Sequence, residues 1–218
     1  MGVLGGSFNP AHEGHLHVAR VAMRRLRLHQ VWLLVSPGNP MKAASGMAPL
    51  AQRLAGARRL GDGRRVVATA IECRLRTRYT HDTLRALRRL FPRVCFVWIM
   101  GADNLTQLPQ WQHWTGIVRT MPFAVMPRPS YNGRALAGQA AQRLRRSLHR
   151  ARSAPVLAGM RPPAWTFLPA KQNQASATAL RKARDAAPAW PLAVEAFPDV
   201  WLSRTAARCP PAYEGARP

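Results

Sequence analysis

Two histidines three residues apart, His12 and His15, follow a Gly5-Gly6-Ser7-Phe8-Asn9-Pro10 stretch close to the N-terminus. Ahead of them Val3-Leu4 is a short apolar run that reads as the end of a buried strand. Behind them Leu16, Val18, Ala19, Ala22, Met23 and Leu26 recur at helical spacing. The stretch is therefore a glycine-rich turn from a strand into a helix. Such a turn offers backbone N–H groups and the positive end of a helix to an anion. Paired glycines let the backbone approach a ligand where a Cβ would obstruct it. Three-residue spacing at a helix start sends both imidazoles to one side. A phosphate cradle beside two convergent imidazoles suits phosphoryl or nucleotidyl transfer. Either half alone is commonplace, an ordinary turn or a pair of solvent-facing histidines; their conjunction carries the reading.

The elements that must position these residues follow in order. Val31–Val35 is a continuous apolar run, hence a buried parallel strand. Ser36-Pro37-Gly38-Asn39-Pro40 breaks it, and a loop to about Ala48 carries Lys42, a candidate phosphate clamp at the carboxyl edge of a sheet. Leu50 to Leu60 reads as a helix, Gly61-Asp62-Gly63 as a turn and Val66–Ile71 as a strand. Thr80 is placed to cap a helix running to Leu90. Val94–Met100 is the strongest strand, stopped by Gly101, and Asp103 beyond it suits either a helix cap or a ligand contact. Trp111 and Trp114 stand at helical spacing, usually a sign of core. Pro122–Met126 and Trp165–Leu168 read as strands and Ala135–Arg152 as one basic helix. Near the far end Ser176 and Thr178, with Arg181 a turn on, form a second potential anion site. Alternating strands and helices imply an α/β fold, a doubly wound, mostly parallel sheet with helices on both faces. One domain is expected over 1–187, with a proline-interrupted segment over 188–218 packed on it.

Composition narrows the function classes. The formal net charge is +24, and 30 of the 33 basic residues are arginines spread along the chain. A pI near 11.9 permits nucleic-acid binding. Dispersal over many segments favours solvated helix faces, so no specific nucleic-acid partner is expected. Three widely spaced cysteines argue against a disulfide framework or zinc cluster and for a cytoplasmic location. No run is long enough for a membrane span, so no membrane association is expected. Oligomeric state is not legible.

The string Gly5-Gly6-Ser7-Phe8-Asn9-Pro10-Ala11-His12-Glu13-Gly14-His15 resembles the His-x-Gly-His signature of nucleotidyltransferases that join a nucleotide to a phosphorylated substrate and release pyrophosphate. It is most similar to the form found in bacterial nicotinate-nucleotide adenylyltransferases. Tyr79-Thr80-His81-Asp82-Thr83-Leu84, Gly101-Ala102-Asp103, Trp111, Arg128-Pro129 and Ala175-Ser176-Ala177-Thr178-Ala179-Leu180-Arg181 resemble further motifs of that family, in its order, over residues 2 to about 184. Departures are Asn39-Pro40-Met41 for Pro-Pro-His, Ser130 for a glycine, and Ala175 for an apolar residue. The resemblance implies a Rossmann-like nucleotidyltransferase fold, with ATP and nicotinate mononucleotide as substrates. It implies Mg2+ carried in with ATP and no metal ligands on the protein. It assigns His12, His15, Lys42 and Arg181 to catalysis. Gly5, Gly6, Ser7, Phe8, His12, His15, Gly101, Asp103, Ser176, Thr178 and Arg181 are assigned to ATP. Asn9, Lys42, Thr80, Trp111, Gln112 and Arg128 go to the mononucleotide. Another adenylyltransferase, such as a pantetheine-phosphate enzyme, or a basic nucleic-acid-binding protein with a vestigial site, are the alternatives.

Overall fold

A computed structural model describes residues 1–38 and 46–170. Lys42, Ser176, Thr178, Arg181 and the 188–218 segment lie outside the described residues. The strands are β1 (Gly2–Gly6), β2 (Val31–Val35), β3 (Val66–Thr69), β4 (Val97–Gly101), β5 (Phe123–Met126), β6 (Leu148–His149) and β7 (Trp165–Phe167). The helices are α1 (Glu13–Arg25), α2 (Leu50–Leu60), α3 (Ile71–Leu75), α4 (Thr80–Leu90), α5 (Ala102–Gln107), α6 (Trp114–Thr120), α7 (Asn132–Ala137) and α8 (Gln139–Arg143). All ladders are parallel, in the order β3-β2-β1-β4-β5-β7-β6.

A parallel sheet covered on both faces needs apolar residues at every strand position, and β4 supplies them: Val97 to Met100 are all buried. Alternation then divides the core in two. Val31, Leu33, Val35, Val97 and Ile99 pack against Leu16, Ala19, Ala22 and Met23 of α1 and Leu54 and Ala57 of α2. Leu34, Trp98, Met100, Phe123 and Val125 face Leu84 and Leu87 of α4, Leu105 of α5 and Ile117 and Val118 of α6. Several arginines collect at helix ends. Arg24 and Arg25, Arg58 and Arg59, and Arg88 and Arg89 lie in the last turns of α1, α2 and α4, where the helix dipole favours a cation.

Four expectations need correction. The strand expected over Val66–Ile71 stops at Thr69, because Ile71 opens α3 and joins the second core cluster. Val94–Phe96 precede β4: the Val94 N–H turns back to the Phe91 carbonyl and the Cys95 carbonyl takes the N-terminal ammonium. The single helix expected over Ala135–Arg152 is broken into α7, α8, short 3-10 turns and β6. Gly138 marks the first break, where a Cβ would stand 2.9 Å from the Arg134 carbonyl oxygen. The cap of α4 is Tyr79, whose carbonyl accepts from the N–H groups of Asp82 and Thr83, and Thr80 occupies the first helical position.

Leu87 is fully buried between α4 and the sheet. Leu87→Ala is expected to lower the unfolding free energy by about 2–5 kcal/mol, the range for a truncated core leucine that leaves a cavity. Urea denaturation measures this; a loss below about 1 kcal/mol would contradict the packing described.

Candidate active site

β1 pairs with β2 on one side and β4 on the other, so the chain moves to opposite sides of β1 in its two excursions. This switch point opens a crevice beyond the carboxyl ends of β1 and β4, the place where open α/β sheets bind ligands. The Gly5–His15 turn leaves β1 there and Gly101–Asp103 ends β4 beside it. A Cβ on Gly5 would meet no protein atom, so internal packing does not demand glycine at this exposed position. Phe8 holds the turn shut. Its backbone is left-handed at φ 47°, which disfavours an L-residue by roughly 1–2 kcal/mol. Burial of its ring to 1% exposure contributes about 1.5–3 kcal/mol in return.

His12 is the N-cap of α1, with extended backbone. Its Nδ1 accepts from the Gly14 N–H at 3.1 Å, and its own N–H donates to His15 Nδ1 at 3.2 Å. Each acceptor nitrogen must be unprotonated, so each neutral ring carries its proton on Nε2. The capping pair therefore fixes both tautomers and leaves two Nε2–H donors. The rings lie 3.9 Å apart between centroids, and Phe8 packs 4.7 Å from His15. Burial above all, then the charges of His12 and Arg128, push the His15 pKa down to about 3. Burial, and secondarily Arg128, lower that of His12.

Arg128 reaches this crevice from the exit of β5, its backbone N–H fixed by Asn132 Oδ1 at 2.8 Å. Its Nε stands 3.6 Å from Asp103 Oδ1, an ion pair too long for a hydrogen bond. Half-exposed pairs of this kind contribute only about 0–1 kcal/mol, so the guanidinium is weakly committed. Asp103 Oδ1 is buried and makes no hydrogen bond. Gly101 lies beneath the pair: a Cβ there would collide with Asp103 Oδ1 and approach Arg128 Nε to 3.1 Å.

The remaining expected residues divide into three groups. Thr80 stands at the start of α4; Trp111 is half-buried with its ring 5.8 Å from Trp98 and a buried, unbonded Nε1–H; Gln112 is exposed. Trp114 packs against the second core cluster, with Arg143 over its ring at 5.7 Å. Asn9 is buried, its amide donating to the Gly46 carbonyl at 2.8 Å and accepting from the Ala48 N–H at 3.2 Å. Arg53 was not anticipated. It is buried under the turn and donates to the Ser7 carbonyl, yet in sequence it is one arginine among many on helices. No group of three or more His, Cys, Asp or Glu side chains is gathered as a metal-ligand set among the described residues.

His15 yields a pH prediction. Its folded pKa lies below the ordinary 6.5, so its neutral form contributes stability that is present above about pH 6.5 and lost as pH falls toward about 3. Nitrogen-15 spectra of the ligand-free protein should show His15 as the neutral Nε2–H tautomer from pH 8 to pH 5. Titration with a midpoint above pH 6 would contradict the capping geometry.

The sequence matches the cytidylyltransferase-like family over residues 3–183. A probable nicotinate-nucleotide adenylyltransferase of Gluconacetobacter diazotrophicus is 59% identical over 181 residues, 83% of this chain and 84% of its own. One of Gluconobacter oxydans is 56% identical over 182 residues, 84% of this chain and 93% of its own. Among solved structures, the Plasmodium falciparum nicotinic acid mononucleotide adenylyltransferase complexed with NaAD shares the fold. Its TM-score is 0.60 at 14% identity, covering 83% of this chain and 82% of that one. A chain with this turn, this sheet order and relatives this similar belongs to the cytidylyltransferase-like family, among its nicotinate-nucleotide adenylyltransferases.

Proposed function

We propose that this chain transfers the adenylyl group of ATP to nicotinate mononucleotide, giving nicotinate adenine dinucleotide and pyrophosphate in NAD biosynthesis. The observation that carries this reading is the His12–His15 capping pair at the switch point, two neutral Nε2–H donors beside the Arg128 charge. The names of relatives 45–59% identical supply the substrate pair.

A phosphate oxygen of the mononucleotide attacks the α-phosphorus of ATP in line. The new P–O bond forms as the bond to the β-phosphate oxygen breaks, and pyrophosphate leaves with that electron pair. No protein nucleophile is required; the protein aligns two anions and stabilises charge on the equatorial and leaving oxygens. We assign His15 to the α-phosphate, His12 and Arg181 to the β- and γ-phosphates, and Lys42 to the meeting of the two anionic groups. Gly5, Gly6, Ser7 and Phe8 form the backbone cradle, with Gly101, Asp103, Ser176 and Thr178 on the rest of ATP. Arg128 and Asn9 serve the mononucleotide end. Mg2+ would arrive with ATP, held by phosphate oxygens and neutralising their charge. Asp103 Oδ1, buried without a hydrogen bond, is the acceptor on the protein suited to the ion's hydration shell. Three widely spaced cysteines suit a cytoplasmic setting.

His15→Ala should lower kcat by roughly 10²-fold or more with a smaller change in the ATP KM, as for a lost transition-state donor. A folded variant with nearly full turnover would remove His15 from the mechanism.

Substrate choice gives a second test. Nicotinate and nicotinamide mononucleotides differ by a carboxylate against a neutral amide. The start of α4 at Thr80 favours an anion by about 0.3–2 kcal/mol through the dipole. Backbone N–H groups at Thr80 and Gln112 would face an amide's NH2 as donor to donor, leaving a buried group unpaired at about 1–3 kcal/mol. Trp111 stacks on either ring and contributes little selectivity. The kcat/KM ratio in one preparation should favour nicotinate mononucleotide at least tenfold. Equal values would sink both the α4 assignment and the substrate.

A further inference from the structure

Arg53 is 3% exposed and lies on α2, outside every motif of the site. All four of its hydrogen bonds go to main-chain carbonyls. Nε donates to Ala48 at 2.8 Å; Nη1 donates to Ser7 at 2.8 Å and to Ser36 at 2.7 Å; Nη2 donates to Pro37 at 3.1 Å. These carbonyls belong to three separate segments: the phosphate turn after β1, the exit of β2, and the approach to α2. A planar guanidinium with five donors is the one side chain that can bridge such a set at once. Asn9, two residues beyond Ser7, reaches Gly46 and Ala48 and closes the same seam from the other side. Helix propensity and core packing do not explain this placement, since Leu54 and Ala57 already supply the apolar contact of α2 with the sheet.

We propose that Arg53 is a positioning residue for adenylyl transfer. It holds the Ser7 segment, and through it the His12–His15 pair, in register with the β2 exit and the α2 entry. The consequence rests on geometry. In-line transfer tolerates little displacement of the groups that align it, and misplacement of about 1 Å from a remote change can lower turnover on the order of 10²-fold. Arg53 touches no reacting atom in this arrangement; it acts through the backbone it holds. The inference rests on the reaction assigned above, and one of its readouts is independent of that reaction.

Arg53→Met and Arg53→Lys are compared with Leu54→Ala, which removes apolar packing of the same helix and none of these hydrogen bonds. Two quantities are read: kcat per folded molecule at saturating substrates, and the nitrogen-15 shifts of His15 in the ligand-free protein. Arg53→Met should lower kcat at least tenfold and move the His15 shifts toward an average of both tautomers. Leu54→Ala should lose stability while keeping kcat within about twofold and the His15 shifts unchanged. Arg53→Lys keeps the charge but not the fork, and should still lose at least fivefold in kcat. If Arg53→Met matches Leu54→Ala in both readouts, Arg53 is only a stabilising residue and the proposal fails. If Arg53→Lys restores wild-type kcat and shifts, the fork is not what matters and the proposal also fails. Should Arg53→Met not fold, Arg53→Lys decides by the same criteria. A wild-type protein inactive on nicotinate mononucleotide would refute the assigned reaction, while the His15 spectra would still decide the role of Arg53.

Discussion

A helix begins with N–H groups that have no partner within it, and something must accept from them. In α1 that acceptor is an imidazole. His12 Nδ1 takes the Gly14 N–H, and His15 Nδ1 takes the N–H of His12 itself. Serine or aspartate would cap as well, at a typical worth of about 1 kcal/mol. Only histidine caps with one nitrogen and keeps a second, protonated one free on the far side of the ring. The bonds that start the helix therefore also fix the tautomers of both rings. Protonating His15 would consume the lone pair that its cap requires, and burial, the largest cause, separately pushes its pKa down to about 3.

The rest of the fold serves that turn by direction. Seven strands run the same way, so every strand exit falls along one edge of the sheet. β1 delivers the histidines, β4 delivers Gly101 and Asp103, and β5 delivers Arg128. The order β2-β1-β4 leaves the exits of β1 and β4 adjacent, with their connections leading away on opposite sides. Among the described residues, Arg24, Arg25, Arg59, Arg88 and Arg89 are exposed in the last turns of α1, α2 and α4, where solvent screens their charge. Arg53 is the exception, buried and bound to carbonyls instead of water.

What could be read in the sequence was what is local. The β1 turn, the apolar strands β2 and β4, and the helical stripe of α1 each declare themselves within a dozen residues. The histidine pair and the ends of β4 and β5 were legible for the same reason. Ala135–Arg152 was not, because alanines, glutamines and arginines with leucines only at 136, 144 and 148 make no continuous apolar stripe, and Gly138 breaks the helix through a backbone contact that no periodicity shows. β6 is two residues long and exists only by pairing with β7. Thr80 has the chemistry of a cap, but the N-cap position falls to Tyr79, whose carbonyl accepts from the Asp82 and Thr83 N–H groups. Arg53 was illegible in a stricter sense: its partners lie 5, 16, 17 and 46 residues away. Nothing near it in the sequence distinguishes it from Arg58 or Arg59.

Neutral imidazoles at the centre of so basic a protein have a consequence for catalysis. Charge alone, as from Arg128, attracts ATP as well as the transition state, and the part felt equally by both lowers KM without raising turnover. Hydrogen bonds from fixed Nε2–H groups are short-ranged and directional, so they can favour the geometry of the transferring phosphoryl group over that of the ground state. Arg128 adds charge from one side and, behind the larger effect of burial, helps keep both histidine pKa values low. A polyphosphate entering the same crevice reverses that sign, since a nearby anion favours the protonated ring and also satisfies Arg128. That pull works against the cap, because a protonated Nδ1 can no longer accept from the Gly14 or His12 N–H.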